Sequence, residues 1–144
     1  SRLDETTLSG VEKAIADPGG CLWYFRLRFL DDGPRIASLN AWGAWLRSRY
    51  CGMPFGDQGF IIERDLFFRV GAYDISGRRG EDHLLAWAVR ERGYALRWTG
   101  GNLYTSSRRY RDKGWFRTTL VFAVLTLKQA LPCYLRLIWK GFRK

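Results

Sequence analysis

The chain has 144 residues, 47% of them hydrophobic and 16% aromatic, which is enough for one domain with a real core and excludes a disordered or low-complexity polypeptide. Twenty-four Lys and Arg against 14 Asp and Glu leave a formal charge of +10; that balance favours polyanions, phosphorylated small molecules or anionic membrane surfaces without choosing among them. The cysteines Cys21, Cys51 and Cys133 are odd in number, widely spaced and form no C-x-x-C, so neither a disulfide framework nor a zinc knuckle is implied and a reducing compartment is expected.

No signal peptide is readable, and a start at Ser1 suggests a cut end. Ser9-Gly10-Val11-Glu12 fits a capping box. It predicts a short surface helix with Val11, Ala14 and Ile15 inward, stopped by Asp17-Pro18-Gly19-Gly20. Residues 22–30 alternate, with Phe25, Leu27 and Phe29 on one side and Arg26 and Arg28 on the other, as in a half-buried strand. Pro34 suits the first turn of a helix that keeps apolar spacing at Ile36, Leu39, Gly43 and Leu46 up to about Tyr50. A Gly/Pro-rich loop covers 51–59, and Phe60-Ile61-Ile62 reads as a short buried strand. Residues 63–70 form a helix ended by Gly71. A loop over 72–80 closes on Ser76-Gly77-Arg78-Arg79-Gly80. Residues 81–92 are an amphipathic helix with Leu84, Leu85, Ala88 and Val89 inward and Gly93 as its stop. Residues 94–98 and 102–105 are two further strands, and 114–139 is helical with Pro132 as a kink or break. With no linker in view, the expected organisation is one unit over 1–113 and a C-terminal helical segment over 114–144.

Four constellations carry candidate chemistry. Glu81-Asp82 opens a helix behind Arg78, Arg79 and Gly80. The helix N-terminus and the arginines favour the charged carboxylates, and adjacent helix residues face different ways. One acid can then anchor locally while the other accepts a proton from an attacking hydroxyl; the plainer reading is two acids capping a helix. Gly56-Asp57-Gln58-Gly59 offers close backbone approach and groups suited to sugar hydroxyls, or is an ordinary turn. Thr105-Ser106-Ser107-Arg108-Arg109-Tyr110 suits a phosphate, or is a solvated basic loop. Asp4 or Glu5 could hold a hard cation bridging a diphosphate, or simply lie near a terminus. His83, the single histidine, reads as a helix-face or buried residue. No G-x-S-x-G, Walker loop, G-x-G-x-x-G or nucleic-acid motif is present.

Taken in order, these segments resemble bacterial family 2 glycosyltransferases of the small, membrane-associated kind. The resemblance runs from Asp4-Glu5-Thr6 through Phe25-Arg26-Leu27-Arg28-Phe29, Asn40-Ala41-Trp42, Arg47-Ser48-Arg49 and Pro54-Phe55-Gly56-Asp57-Gln58-Gly59. It continues through Val70-Gly71-Ala72-Tyr73 and Gly80-Glu81-Asp82-His83 to Thr105-Ser106-Ser107-Arg108-Arg109-Tyr110 and the run from Gly114 to Leu120. It implies an α/β fold, a partial GT-A-like (truncated Rossmann-like) mixed sheet flanked by helices with a C-terminal helical appendage. It implies a nucleotide-sugar donor, a hydroxyl acceptor, a divalent metal (Mg or Mn) and inversion at the anomeric carbon. Asp82 with Glu81 would be the general base, and Asp4 the surviving part of the metal motif, with Arg2 standing where the family has another acid or a histidine. Asp57 and Gln58 would line the sugar or acceptor pocket, and Arg108 and Arg109 would sit near the diphosphate. The nucleotide-binding half that the family carries ahead of the acidic motif is not represented, so activity is expected to require that half, from a longer chain or from a partner.

Residues 120–127 and 131–139 are apolar runs broken by Lys128, Gln129 and Pro132, each short of the ~20 residues of a spanning helix. Leu131, Tyr134, Leu135 and Ile138 share a face, with Arg136, Lys140, Arg143 and Lys144 elsewhere. The pattern suits an interfacial helix on anionic lipid, or a helix packed on the domain with a solvated tail. The resulting expectation is a cytoplasmic protein, peripheral on the inner face of the cell membrane, whose acceptor is lipid-linked. A basic module that binds membrane or protein without catalysis is the alternative.

Overall fold

Strand β1 (Cys21–Phe29) runs through the middle of a three-stranded mixed sheet of order β2-β1-β3. The structure, a computed structural model, describes residues 3–17, 19–73 and 80–141. Strand β2 (Phe60–Ile62) is antiparallel to β1, with Leu22 opposite Ile62, and β3 (Ala95–Thr105) is parallel to it, with Cys21 opposite Ala95 and Phe29 opposite Thr105. The alternation over 22–30 predicts a half-buried strand. Instead every residue from Cys21 to Phe25 is buried, because helices cover both faces of a central strand. Arg28 reaches solvent only where that cover ends. Phe60–Ile62 is half-buried, being at the sheet edge.

The two strands predicted at 94–98 and 102–105 are one. Tyr24 pairs with Trp98 and Arg26 with Asn102, so Thr99, Gly100 and Gly101 bulge opposite Phe25. The bulge needs Gly100 at φ 93°. It also brings Gly101 so close to helix α1 (Glu5–Ala16) that a Cβ there would collide with the Thr6 carbonyl.

Helix α1 starts ahead of the capping box predicted at Ser9. Asp4 is the cap: its Oδ1 accepts from Thr7 N at 2.9 Å, and Asp4 N donates back to Thr7 Oγ1 at 3.1 Å. Its buried residues are Thr7, Gly10 and Ala14, while Ile15 points outward. Helix α2 (Ser38–Cys51) also buries small residues, Ala41, Ala44 and Ser48, and leaves Leu39 exposed together with Ile36 just ahead of it. Small side chains let the helix lie close on β1. The predicted stripe of larger residues therefore faces the wrong way.

Helices α3 (Arg64–Arg69) and α4 (Glu81–Glu91) close the main core, in which Leu22, Leu66, Val70, Leu85 and Val89 pack together. Helix α5 (Arg108–Lys113) leads into α6 (Trp115–Gly141), which continues through Pro132 without a break. The interruptions at Lys128, Gln129 and Pro132 split the apolar run in sequence but not the helix. Trp115–Arg136 is in consequence an unbroken 22-residue stretch of α6, of mean hydropathy 1.3 and 17% buried, long and apolar enough to cross a membrane. One side of α6 packs on the body: Thr118, Ala130 and Cys133 are buried, the last two against Met53 and Trp87. On the other side Leu120, Val124, Leu127, Leu131 and Leu135 follow one another at helical spacing, all exposed. The expectations that fall on Arg2, Pro18, residues 74–79, Arg143, Lys144 and the side chains of Ile138 and Lys140 lie outside the described residues.

Candidate functional site

Three cavities meet at the carboxyl ends of the parallel strands β1 and β3, with Phe29 in the wall of each. In open α/β sheets this is the end where loops gather and ligands sit. The first, of about 260 Å³, lies between the sheet and α6 and contains Asp57, Asp82 and Arg47, with aromatic walls from Phe29, Phe55, Tyr110 and Phe122. The second, of about 420 Å³, lies on the other side of Asp57 and is lined by Thr105, Ser106 and Arg109. The third, of about 310 Å³, is bordered by Asp4, Asp31 and Tyr104.

Asp82 is carried into the first cavity by the opening turn of α4, behind Gly80 at φ 95°. Its Oδ2 accepts a hydrogen bond from Gly56 N, which fixes the carboxylate against the 3₁₀ turn Gly56–Gln58. Asp57, in the same turn, is open to the cavity but hemmed in by protein. The lost hydration raises its pKa, opposed by Arg47 and reinforced by Asp82. Arg47 projects from α2 across Phe55, 3.9 Å from the ring centroid, and its Nε donates to the Met53 carbonyl at 3.0 Å. Beneath Asp82, His83 is buried; it accepts from Trp87 Nε1 at 2.8 Å, and burial holds its pKa below the ordinary value. His83 therefore serves as packing, continuing through Trp87 to Tyr134 of α6.

Of the predicted residues, Asp82 and Asp57 come together and Arg109 flanks Asp57. Glu81 is exposed and is not in the wall of that cavity. Arg108 turns aside to Ser106, at 3.0 Å, and to Asp32, at 3.6 Å. Gln58 does not line a pocket. It is wholly buried; its Oε1 accepts from Ser48 Oγ at 2.6 Å and Phe55 N at 3.2 Å, and its Nε2 donates to the Phe25 carbonyl at 3.1 Å. It ties α2, the turn and β1 together. The Ser106-Ser107 pair expected to suit a phosphate already holds an anion of the protein itself. Asp32 accepts from Ser107 N at 2.7 Å and Ser107 Oγ at 2.9 Å, as well as from Ser106 Oγ, and these bonds lower its pKa to about 2.

Asp4 spends Oδ1 on Thr6 and Thr7 as a helix cap, and its pKa falls to about 2. Among the described residues no three His, Cys, Asp or Glu gather in one place. Asp4 and Asp31 both border the third cavity, two carboxylates without a third beside them among the described residues.

Sequence reasoning gives Arg47 and Gln129 no site role, and it offers Tyr110 only as the aromatic end of the Thr105–Tyr110 run suited to a phosphate. Arg47 stands in the run Arg47-Ser48-Arg49 that carries part of the resemblance, with no function attached. Gln129 leaves one trace, a polar residue interrupting an apolar run. Compared with protein-family models, curated protein sequences and solved structures, the chain matches none of them.

Proposed function

We propose that these residues form the acceptor and catalytic-base half of an inverting, GT-A-like glycosyltransferase. The observation that carries the reading is the meeting of Asp82 and Asp57 in one aromatic-walled cavity at the carboxyl ends of β1 and β3. Asp82, its Oδ2 held by Gly56, takes the proton of an acceptor hydroxyl through its other oxygen. The acceptor oxygen attacks the anomeric carbon of a nucleotide sugar from the side opposite the leaving group. The bond to the nucleoside diphosphate breaks, its electron pair leaves with the diphosphate, and the configuration inverts. Asp57 binds a neighbouring hydroxyl, and Arg109 lies on the side open to the diphosphate. A Mg or Mn ion would use Asp4 and Asp31 and would neutralise the leaving diphosphate. A nucleotide-binding segment, in the same polypeptide or a partner, completes the donor site.

The outward stripe of α6 supports attachment to the inner face of the cell membrane, with α6 lying in the interface rather than crossing it, since its other side packs on the body. A lipid-linked acceptor would suit that placement.

The test is acceptor-dependent release of nucleoside diphosphate from a panel of nucleotide sugars, with Mg or Mn, by the polypeptide or complex that joins these residues to the nucleotide-binding segment, as wild type and as Asp82→Asn. The expected loss in the variant is about 10²–10⁴-fold. Equal release by both proteins, or none from wild type with any donor, overturns the reading.

A further inference from the structure

Arg47 holds an unspent hydrogen-bond donor. Its guanidinium is positioned from two sides, by stacking on Phe55 and by the Nε bond to Met53. Neither contact uses Nη2, which is enclosed and has no hydrogen-bond partner. Nor does Arg47 form an ion pair among the described residues, although Asp57 and Asp82 act on it through space and line the same cavity. A guanidinium stays charged, and burying its N–H unpaired is costly. Arg47 also lines the cavity, so an acceptor atom brought by a ligand can meet the part of the guanidinium that is open there.

The rest of the cavity states which atom. Two carboxylates face one guanidinium, so a phosphorylated or carboxylated ligand would add negative charge where negative charge is already in excess. Neutral hydroxyls meet both needs, because each donates its proton to a carboxylate and offers its oxygen to a guanidinium N–H. The half-buried amide of Gln129 is of the same kind, whereas that of Asn40 is taken up by Thr119 and Trp115. Phe29, Phe55, Tyr110 and Phe122 make much of the wall apolar, and the volume of about 260 Å³ suits one ring rather than a chain of them.

We infer that Arg47 is a ligand-binding residue of this cavity, and that the cavity takes a single neutral polyhydroxylated ring in preference to an anionic one. The inference rests on reading the cavity as the acceptor site, and it gives that site its substrate class. Arg47 positions the ring through a hydroxyl oxygen while Asp57 and Asp82 accept from hydroxyl protons.

The probes are methyl hexopyranosides of gluco, galacto and manno configuration, a hexose 6-phosphate and a methyl hexuronide. Binding to the full chain is followed by saturation-transfer NMR and by the Arg side-chain ¹⁵N signals of the wild-type protein. At least one methyl glycoside should bind and move the Arg47 signals, with the phosphate and uronate weaker by about tenfold or more. Arg47→Gln should weaken the glycoside about tenfold. Arg47→Lys should fall between, since an ammonium lacks the planar fork. Arg49→Gln, an exposed charge nearby, should leave binding unchanged. If Arg47→Gln does not fold, the wild-type ¹⁵N titration and the lysine variant decide. Tighter binding of the anionic probes, binding indifferent to Arg47, or no glycoside bound overturns the inference. Asp82→Asn separates it from the transferase reading: Arg47-dependent glycoside binding without Asp82-dependent transfer removes only the base role. Undiminished transfer by Arg47→Gln removes only the inference.

Discussion

Gly56 and Asp82 touch backbone to side chain: the glycine amide donates to Asp82 Oδ2, and a methyl group placed on Gly56 would lie 2.6 Å from that oxygen. The glycine is not in the left-handed region, so its need for hydrogen at Cα comes from the carboxylate and not from its own backbone. A methyl there would also meet Asp82 Cβ at 2.9 Å, so Gly56→Ala should push the first turn of α4, and Asp82 with it, out of position. A loss of transfer on the order of 10²-fold is expected, in kcat rather than KM, with a lowered melting temperature but a folded protein. Full activity in the alanine variant would show that the contact does not place the base.

Gln58 separates structure from binding. Its amide joins Ser48, Phe55 and Phe25 in the interior. Gln58→Leu takes the partner from the Phe55 N–H and the Phe25 carbonyl, while Ser48 keeps its bond to the Ala44 carbonyl, and should cost about 1–3 kcal/mol of stability, read by chemical denaturation. At temperatures where the variant is folded, its KM for acceptor should match wild type. A raised KM with unchanged stability would return Gln58 to the pocket.

Acid should destabilise the chain through two hydrogen-bonded aspartates, Asp4 and Asp32. Bonds from Thr6 and Thr7 to Asp4, and from Ser106 and Ser107 to Asp32, lower each pKa from 3.8 to about 2. A carboxyl depressed in the folded state contributes stability that is fully present above its unfolded value and is lost as pH falls through the folded one. The melting temperature should therefore drop between about pH 4 and pH 2, and Asp32→Asn should flatten that slope. Asp57 has the opposite sign. Its pKa is raised by burial, so it opposes folding when ionised, and this penalty is relieved as pH falls toward its folded pKa. Asp57→Asn should accordingly raise the melting temperature near neutral pH while weakening ligand binding. A neutral-pH melting temperature below wild type would contradict that sign.

How far the molecule was readable from its residues depended on whether size or direction carried the information. Alternation over 22–30 locates β1, and the apolar spacing in 81–92 locates α4, because large side chains mark those faces. The face of α2 was hidden because Ala41, Ala44 and Ser48 make it, and small residues leave no hydrophobic stripe. Asp4 and Ser9 both satisfy the rule for a helix cap; only the bond from Thr7 Oγ1 to the Asn102 carbonyl, 2.5 Å across to β3, shows why the chain starts its helix at the earlier one. Asp57 and Asp82 could each be named as candidates, but their meeting depends on α4 returning its first turn to the Gly56–Gln58 turn, 26 residues apart in sequence. Arg47 falls in a segment that carries the resemblance, but no residue pattern gives it a role, because that role follows from a stacking partner and a place in the cavity wall.

The two sides of α6 make separable predictions. Phe122, Leu125 and Gln129 face the Asp57–Asp82 cavity, whereas Leu120, Val124, Leu127, Leu131 and Leu135 face outward. If the outward stripe rests on lipid, Leu127→Ser with Leu131→Ser should lower co-sedimentation with phosphatidylglycerol-containing vesicles by about tenfold, since several buried methylenes are lost from the interface. Both leucines are more than 60% exposed, so the fold should be unaffected. Arg117, Lys128 and Arg136 on the same helix should make the wild-type interaction weaker in high salt and on purely zwitterionic vesicles. Soluble-ligand binding in the inner cavity should stay as in wild type, because none of its walls has changed. Vesicle binding that survives the double substitution would mean that α6 turns its outward side to something other than a bilayer.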